Sequence, residues 1–386
     1  MKNKKLVFFH DHQITLKNGR LYSSGGLNKK VIERYTSICD YFSLATRSSP
    51  DRSIKSLSVV GDSSNINYYA IDNLASFNLL NYYNAYKKIS KIINKNDYVI
   101  IRLPSLIGYL AAIISISSKS KYLIELVGCP WDSFFNYNLK GKLLAFPLYY
   151  LTLHICKKTK YISYVTNNFL QNRYPSPAKN ILSCSDVEIY PNIENLVKRQ
   201  NMIKKLKSNY LLRIGMIGSL DSDYKGFDTA ILALNKILSN NSNFKLEIVG
   251  SGNSNHIKKM VAHYGIEKHV NFIGPLPHPH GINNWLDGIH VYIQPSRVEG
   301  LPRALIEAMS RGCACVGSSV GGIPELLNNQ YIHKVNDYNS LAVKIFDLYD
   351  IDNLAKSSKI CFNTSLKYDR NVLDKISTNF YEKFVN

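Results

Sequence analysis

Glu299-Gly300-Leu301-Pro302-Arg303-Ala304-Leu305-Ile306-Glu307-Ala308-Met309 decides how the second half of this chain is read. Two carboxylates stand eight residues apart, with Gly and Pro directly after the first and an apolar helical pattern leading into the second. Pro302 suits the first turn of a helix, where its missing N–H has no partner to lose. Gly300 lets a ligand approach the backbone, and the free amides of a helix start favour an anion. Glu299 is therefore expected in the loop before the helix, and Glu307 in its second turn, facing the same cleft. Backbone donors suit phosphate and carboxylates suit sugar hydroxyls, so the stretch fits a phosphate-linked, hydroxyl-rich ligand. Taken alone, the pair fits a Pro-started surface helix with two solvated acids equally well.

Working outward, strands are expected at Leu211–Ile217, Lys245–Val249, Val270–Ile273, Val291–Gln294 and Ala314–Gly317. Helical spacing falls at Asp228–Leu238, Ile257–Tyr264, Pro302–Ser310 and Leu341–Tyr349. Such alternation argues a parallel, doubly wound unit with ligands at the carboxyl ends of its strands. Gly218 and Ser219 close the first of these strands, and Tyr224-Lys225-Gly226 then opens a helix, where Lys225 can reach a diphosphate as a compact positive charge. Val249-Gly250-Ser251-Gly252 and Phe272-Ile273-Gly274 are strand-end turns of the same crevice, placing Gly250 and Ile273 beside a bound nucleotide; simple glycine turns are the plainer reading. Gly321-Gly322-Ile323-Pro324-Glu325 aims a second Gly-rich turn at the same place.

The first half repeats the alternation, with strands expected at Lys5–Phe9, Ser56–Val60, Tyr98–Arg102, Tyr122–Val127 and Ile162–Val165, and helices at Leu27–Ser37 and Ala75–Ile93. Ser24-Gly25-Gly26-Leu27 precedes the first of these helices, so Gly25 and Gly26 can present amides to an anion or glycan, or form a plain turn. The polar, Lys-rich stretch from Tyr190 to Ser208 reads as the linker. The expected division is residues 1–195, residues 196–368, and a C-terminal helix in 369–386 that crosses back onto the first domain.

At 386 residues the chain is long enough for two cores. Its 7 cysteines are scattered without metal-type spacing and read as reduced thiols of a cytoplasmic protein. The run Leu6-Val7-Phe8-Phe9 behind Lys4 and Lys5 is too short for an export signal and reads as a buried strand. A formal net charge of +20 points to a polyanionic partner. No basic helix interleaved with aromatics appears, so nucleic acid is not expected as that partner. Leu106–Ile116 and Leu143–Leu153 are apolar but shorter than the roughly 20 residues that span a bilayer. Each reads as a buried helix. The lysines around the second also suit an anionic membrane surface on the inner face of the cell membrane.

His278-Pro279-His280 lacks a third ligand at metal spacing, and Asp221-Ser222-Asp223 reads as a turn before Lys225, so no metal site is expected. The resemblance then carries the reading further. Pro295-Ser296-Arg297-Val298-Glu299-Gly300-Leu301-Pro302, Glu307-Ala308-Met309, Gly321-Gly322-Ile323-Pro324-Glu325, Lys225-Gly226 and Tyr190-Pro191-Asn192 closely resemble retaining glycosyltransferases of family 4. Gly128-Cys129-Pro130-Trp131-Asp132 is similar to a segment of bacterial surface-polysaccharide transferases of that family. The resemblance implies an α/β chain of GT-B fold, two Rossmann-like doubly wound domains facing across a cleft. The first would bind the acceptor and the second the nucleotide sugar.

It also implies residue roles. Glu307 would hold the ribose, Glu299 the donor sugar with Gly300 and Leu301 offering amides, and Lys225 the diphosphate, without metal or other cofactor. Ser219 stands where the family often has Arg, which leaves Lys225, Arg213 or Arg303 to balance the phosphate charge. The implied reaction moves a hexose from a UDP- or GDP-linked donor to a glycan or lipid-linked glycan in O-antigen or capsule assembly. A sugar-nucleotide epimerase of the same fold and a basic nucleic-acid-binding protein stand as alternatives.

Overall fold

The computed structural model describes residues 3–23, 27–48, 57–76, 78–135 and 139–386, and in them the expected alternation becomes two separate sheets. They belong to two units, Met1–Cys184 with Asp374–Asn386, and Ser185–Leu373.

In the second unit six parallel strands lie in the order Val270–Gly274, Phe244–Val249, Leu212–Ile217, Val291–Gln294, Ala314–Ser318 and Ile332–His333. Their buried faces are Ile, Leu, Val and Ala, as a sheet covered by helices on both sides requires. Helices Phe227–Leu238, Asn255–His263, His280–Gly288, Arg303–Ser310 and Tyr338–Asp347 alternate with them. The chain order reverses between Leu212–Ile217 and Val291–Gln294, which opens a crevice at their carboxyl ends.

The expected linker is instead structure. Asn192 accepts from the Glu194 amide at 3.0 Å and caps a helix over Ile193–Lys204. Arg199, 3% exposed, points inward from it and donates to the carbonyls of Leu286, Ile289 and Arg311. The unit therefore begins at Ser185 rather than at 196. The polar composition of this helix hid its packing, because its buried anchor is an arginine.

The first unit's parallel strands run Ile66–Ile71, Tyr41–Ser48, Lys5–Lys17, Tyr98–Leu103, Lys121–Leu126, Tyr161–Tyr164 and Asn180–Ser183. The distal half of Lys5–Lys17 turns back antiparallel onto Arg20–Ser23, which pairs with Ser58–Asp62. Of the strand expected over Ser56–Val60, Ser58–Val60 lie on an edge of this antiparallel arm, with Val59 42% exposed, and not in a parallel strand, while Ser56 lies outside the described residues. Four further strands, Arg20–Ser23, Tyr41–Ser48, Ile66–Ile71 and Asn180–Ser183, were not expected. The last segment of the chain, within helix Arg370–Val385, belongs to this unit from Asp374 onward. Its Tyr381 donates to Glu125, which also takes Tyr35 OH at 2.9 Å and Arg102 Nε at 2.8 Å, all buried.

Candidate functional site

At the carboxyl end of Val291–Gln294 the second unit gathers the residues on which its sequence is most distinctive. Glu299 Oε1 accepts from Lys225 Nζ at 2.7 Å, Gln294 Nε2 at 2.8 Å and Ser296 Oγ at 2.8 Å. Three donors on one carboxylate oxygen fix the side chain. Gln294 is itself oriented: Tyr292 OH donates to its Oε1 at 3.0 Å and accepts from the Ile217 amide at 3.3 Å. Burial pushes the Tyr292 phenol well above its ordinary value, so it stays neutral and keeps that donor. Tyr292, Gln294 and Ser296 form a supporting row that the sequence did not assign. Ser296 lay inside the Pro295–Pro302 motif, but nothing local announces its bond three residues ahead.

The loops around this carboxylate are locked by backbone contacts. Gly226 has φ +75°, and a Cβ there would lie 2.1 Å from Pro295 O, so glycine is required directly after Lys225. Gly321 has φ +56° and would place a Cβ 2.2 Å from Glu299 O, while the Gly322 amide donates to Gly300 O at 2.6 Å. Arg297 ties the two loops together. Its amide donates to Tyr224 O at 2.7 Å, its Nε to Asn336 at 2.6 Å, and its outer nitrogens to Asp228 and to Asp223 O. Gly250 packs its backbone against Gly218, whose amide donates to Val249 O at 3.0 Å.

Glu307, on helix Arg303–Ser310, takes a contact from His278 Nε2 at 3.4 Å. That bond raises His278 above the ordinary histidine value against the opposing pull of partial burial. His278 is an exposed loop residue, and its contact with Glu307 was not foreseen because it forms between segments far apart in sequence. Leu301 is buried beneath the loop. Ser219 is exposed just past Gly218, and Ile273 is 38% exposed on the outermost strand, two strands away from Leu212–Ile217. Gly25 and Gly26 lie outside the described residues.

Two candidate cations separate clearly. Arg213 stands at the amino end of its strand and is bidentate to Glu247 at 2.8 and 3.1 Å, so it is removed from the crevice at the other end. Arg303 is exposed at the first position of the Glu307 helix. Asp221 is held by the Asn253 amide at 2.8 Å, and no group of three or more metal-ligating side chains occurs among the described residues.

In the first unit strand Lys5–Lys17 carries His10, Asp11 and His12 at its middle, where the pairing with Tyr41–Ser48 slips register. The Asp11 carboxylate accepts from the Leu106 and Ile107 amides at the start of helix Leu106–Ser118, and burial raises it above the ordinary range. Burial also lowers His10 to about 3, so its ring is neutral at physiological pH. His12 Nε2 meets Ser23 Oγ at 2.6 Å. The expected strand stopped at Phe9, and these three residues were assigned no role.

An anchored carboxylate and lysine at the switch point of a doubly wound sheet define an α/β protein built to hold a charged, hydroxyl-bearing ligand. The comparisons make that class specific. Residues 181–359 match the model of the family described as glycosyl transferases group 1. The chain is 31% identical over 359 residues to protein CapJ of Staphylococcus aureus, covering 91% of this chain and 87% of CapJ. It is 23% identical over 316 residues to the capsular polysaccharide biosynthesis glycosyltransferase CapH of the same species, covering 78% of this chain and 83% of CapH. The crystal structure of Anabaena HepE in complex with UDP-glucose is similar with a TM-score of 0.65 at 15% identity, covering 98% of each chain. The fold is GT-B, and the chain belongs to the glycosyl transferases group 1 family: it is a glycosyltransferase.

Proposed function

We propose that this enzyme moves a hexose from a UDP- or GDP-linked donor to a hydroxyl of a glycan or lipid-linked glycan, with retention at the anomeric carbon, in surface-polysaccharide assembly. The observation that carries the reading is the Glu299 carboxylate, immobilised through one oxygen by Lys225, Gln294 and Ser296. Its second oxygen accepts a donor-sugar hydroxyl. The Lys225 ammonium has three protons, and with one on Glu299 it retains two for diphosphate oxygens. Glu307 accepts from the ribose hydroxyls, and the amides of Gly300 and Leu301 face the sugar. Gly218, Ser219 and Gly250 leave backbone room for the diphosphate, and Ile273 borders the base.

In this reaction the bond from C1 to the diphosphate oxygen breaks as the acceptor oxygen bonds to C1 on the same face. The acceptor proton passes to the departing phosphate. Lys225 stabilises the charge that develops on the leaving group, so no metal is invoked. The first unit, with His10, Asp11 and His12 at the register slip of strand Lys5–Lys17, holds the acceptor. CapH is named for capsular polysaccharide biosynthesis and HepE was solved with UDP-glucose, and both support the substrate class.

The test is the release of nucleoside diphosphate from UDP- and GDP-hexoses in the presence of membrane glycolipid extract, with the product anomer read by NMR. The wild type should consume one donor and keep the anomeric configuration. Lys225→Ala should slow release by about 100-fold, the scale of losing one group that stabilises transition-state charge. Inverted product refutes retention, and an unchanged rate in Lys225→Ala refutes the site.

A further inference from the structure

Three helices of the first unit, Leu79–Ile93, Leu106–Ser118 and Leu139–Lys158, follow strands that step in one direction across the sheet, from Ile66–Ile71 to Tyr161–Tyr164. Right-handed crossovers place all three on the same face. They pack side by side, the first on the second and the second on the third, where Tyr109 OH meets Thr152 Oγ1 at 2.8 Å. The chain contains no Asp or Glu anywhere in these helices. Lys87, Lys88, Lys91, Lys142, Lys157 and Lys158 are all exposed on them.

The same layer leaves large apolar side chains in water. Leu143, Phe146 and Tyr150 are 78%, 54% and 66% exposed, and their spacing puts them on one stripe of helix Leu139–Lys158. Lys142 stands at one end of that stripe, and Lys157 and Lys158 at the other. Helix Leu79–Ile93 repeats the arrangement, with Leu79 86% and Leu80 64% exposed at its start and its lysines toward its end. Single exposed apolar residues are ordinary, but a patterned set on an acid-free layer is not.

We propose that this helical face lies on an anionic phospholipid bilayer. Leu79, Leu80, Leu143, Phe146 and Tyr150 enter the boundary between headgroups and acyl chains, and the six lysines meet lipid phosphates. The contact is interfacial, since no helix among the described residues is long and apolar enough to cross a membrane. A second copy of the chain does not suit this face, because pairing it with itself would bring two sets of six lysines together with no carboxylate on any of the three helices. The inference holds whichever donor the second unit takes.

Co-sedimentation of the full chain with phosphatidylcholine vesicles, with and without phosphatidylglycerol, tests it directly. The wild type should sediment with the anionic vesicles only and be released as salt rises. Lys157→Gln with Lys158→Gln should lower partitioning by about fivefold per lysine. Leu143→Ser with Phe146→Ser should abolish binding with nucleotide affinity unchanged, and because Phe146 also meets the Trp131 ring edge-on at 4.7 Å, thermal unfolding should fall only modestly and remain cooperative. Absence of binding to anionic vesicles, or wild-type binding by the Leu143→Ser/Phe146→Ser protein, overturns the proposal. So does a dimer in sedimentation velocity that this variant converts to monomer, since the face would then be a subunit interface. None of these readouts uses transferase activity, so failure here is distinct from failure of the donor site.

Discussion

Glu299 and Glu307 stand eight residues apart, yet their partners come from different parts of the second unit: Lys225, Gln294 and Ser296 for the first, His278 for the second. Each carboxylate has a distinct electrostatic setting and so a testable signature. Because the Glu307 contact raises His278, the stabilisation from that pair is complete below the ordinary histidine value and is lost as pH rises through the elevated folded value. Glu307→Gln should return the His278 titration, followed by NMR, toward 6.5. No change in that titration would show that the two side chains do not interact in solution. At Glu299, Gln294→Ala should leave Lys225 and Ser296 as donors and weaken donor-sugar binding by about tenfold, the value of one hydrogen bond to a charged group. Nucleotide affinity should be unaffected, and calorimetry with nucleotide and nucleotide sugar separates the two. The sequence showed both glutamates and Lys225, because glycine and proline around them mark the loops. It could not show Gln294 or His278, whose roles depend on side-chain direction and on a loop returning from a distant segment.

Among elements, the loop after Lys225 is the most constrained. Gly226→Ala must move Pro295 O or abandon the left-handed backbone, at a cost of about 1–3 kcal/mol. Urea unfolding should show that loss, and because Arg297 joins the same two loops, nucleotide affinity should fall with it. Unaltered stability in Gly226→Ala would mean that the turn is pliant. Five of the second unit's six strands were legible almost residue by residue, since each is a short, mostly apolar run such as Val291–Gln294, whereas Ile332–His333, only two residues long, was not. Elements of the first unit were not. Tyr41–Ser48 and Ile66–Ile71 mix polar and aromatic residues, and Arg20–Ser23 exists only through pairing with Ser58–Asp62, some forty residues on. Helix Ile193–Lys204 failed for the reverse reason, since one of its two buried residues, beside Ile203, is an arginine.

For the whole molecule, the +20 charge and the closing segment of the chain are the dominant features. Helix Arg370–Val385 ends in the first unit, where Tyr381, Tyr35 and Arg102 converge on buried Glu125. Removing Glu125 takes the carboxylate away from the buried Arg102 guanidinium, so Glu125→Ala should cost about 3–5 kcal/mol. Tyr381→Phe should cost about 1.5–3 kcal/mol, since the other two donors remain. Equal losses in urea unfolding would contradict this division. The central claim is that the second unit binds the nucleotide part of a sugar donor through Lys225 and Glu307. Thermal unfolding of the wild type, Lys225→Ala and Glu307→Ala against UDP, GDP and ADP, without added metal, tests it most directly. One nucleotide, at about 100 times its dissociation constant, should stabilise the wild type by roughly 2.7 kcal/mol and each variant measurably less. Equal stabilisation of all three proteins, or none of the wild type by any nucleotide, would contradict it.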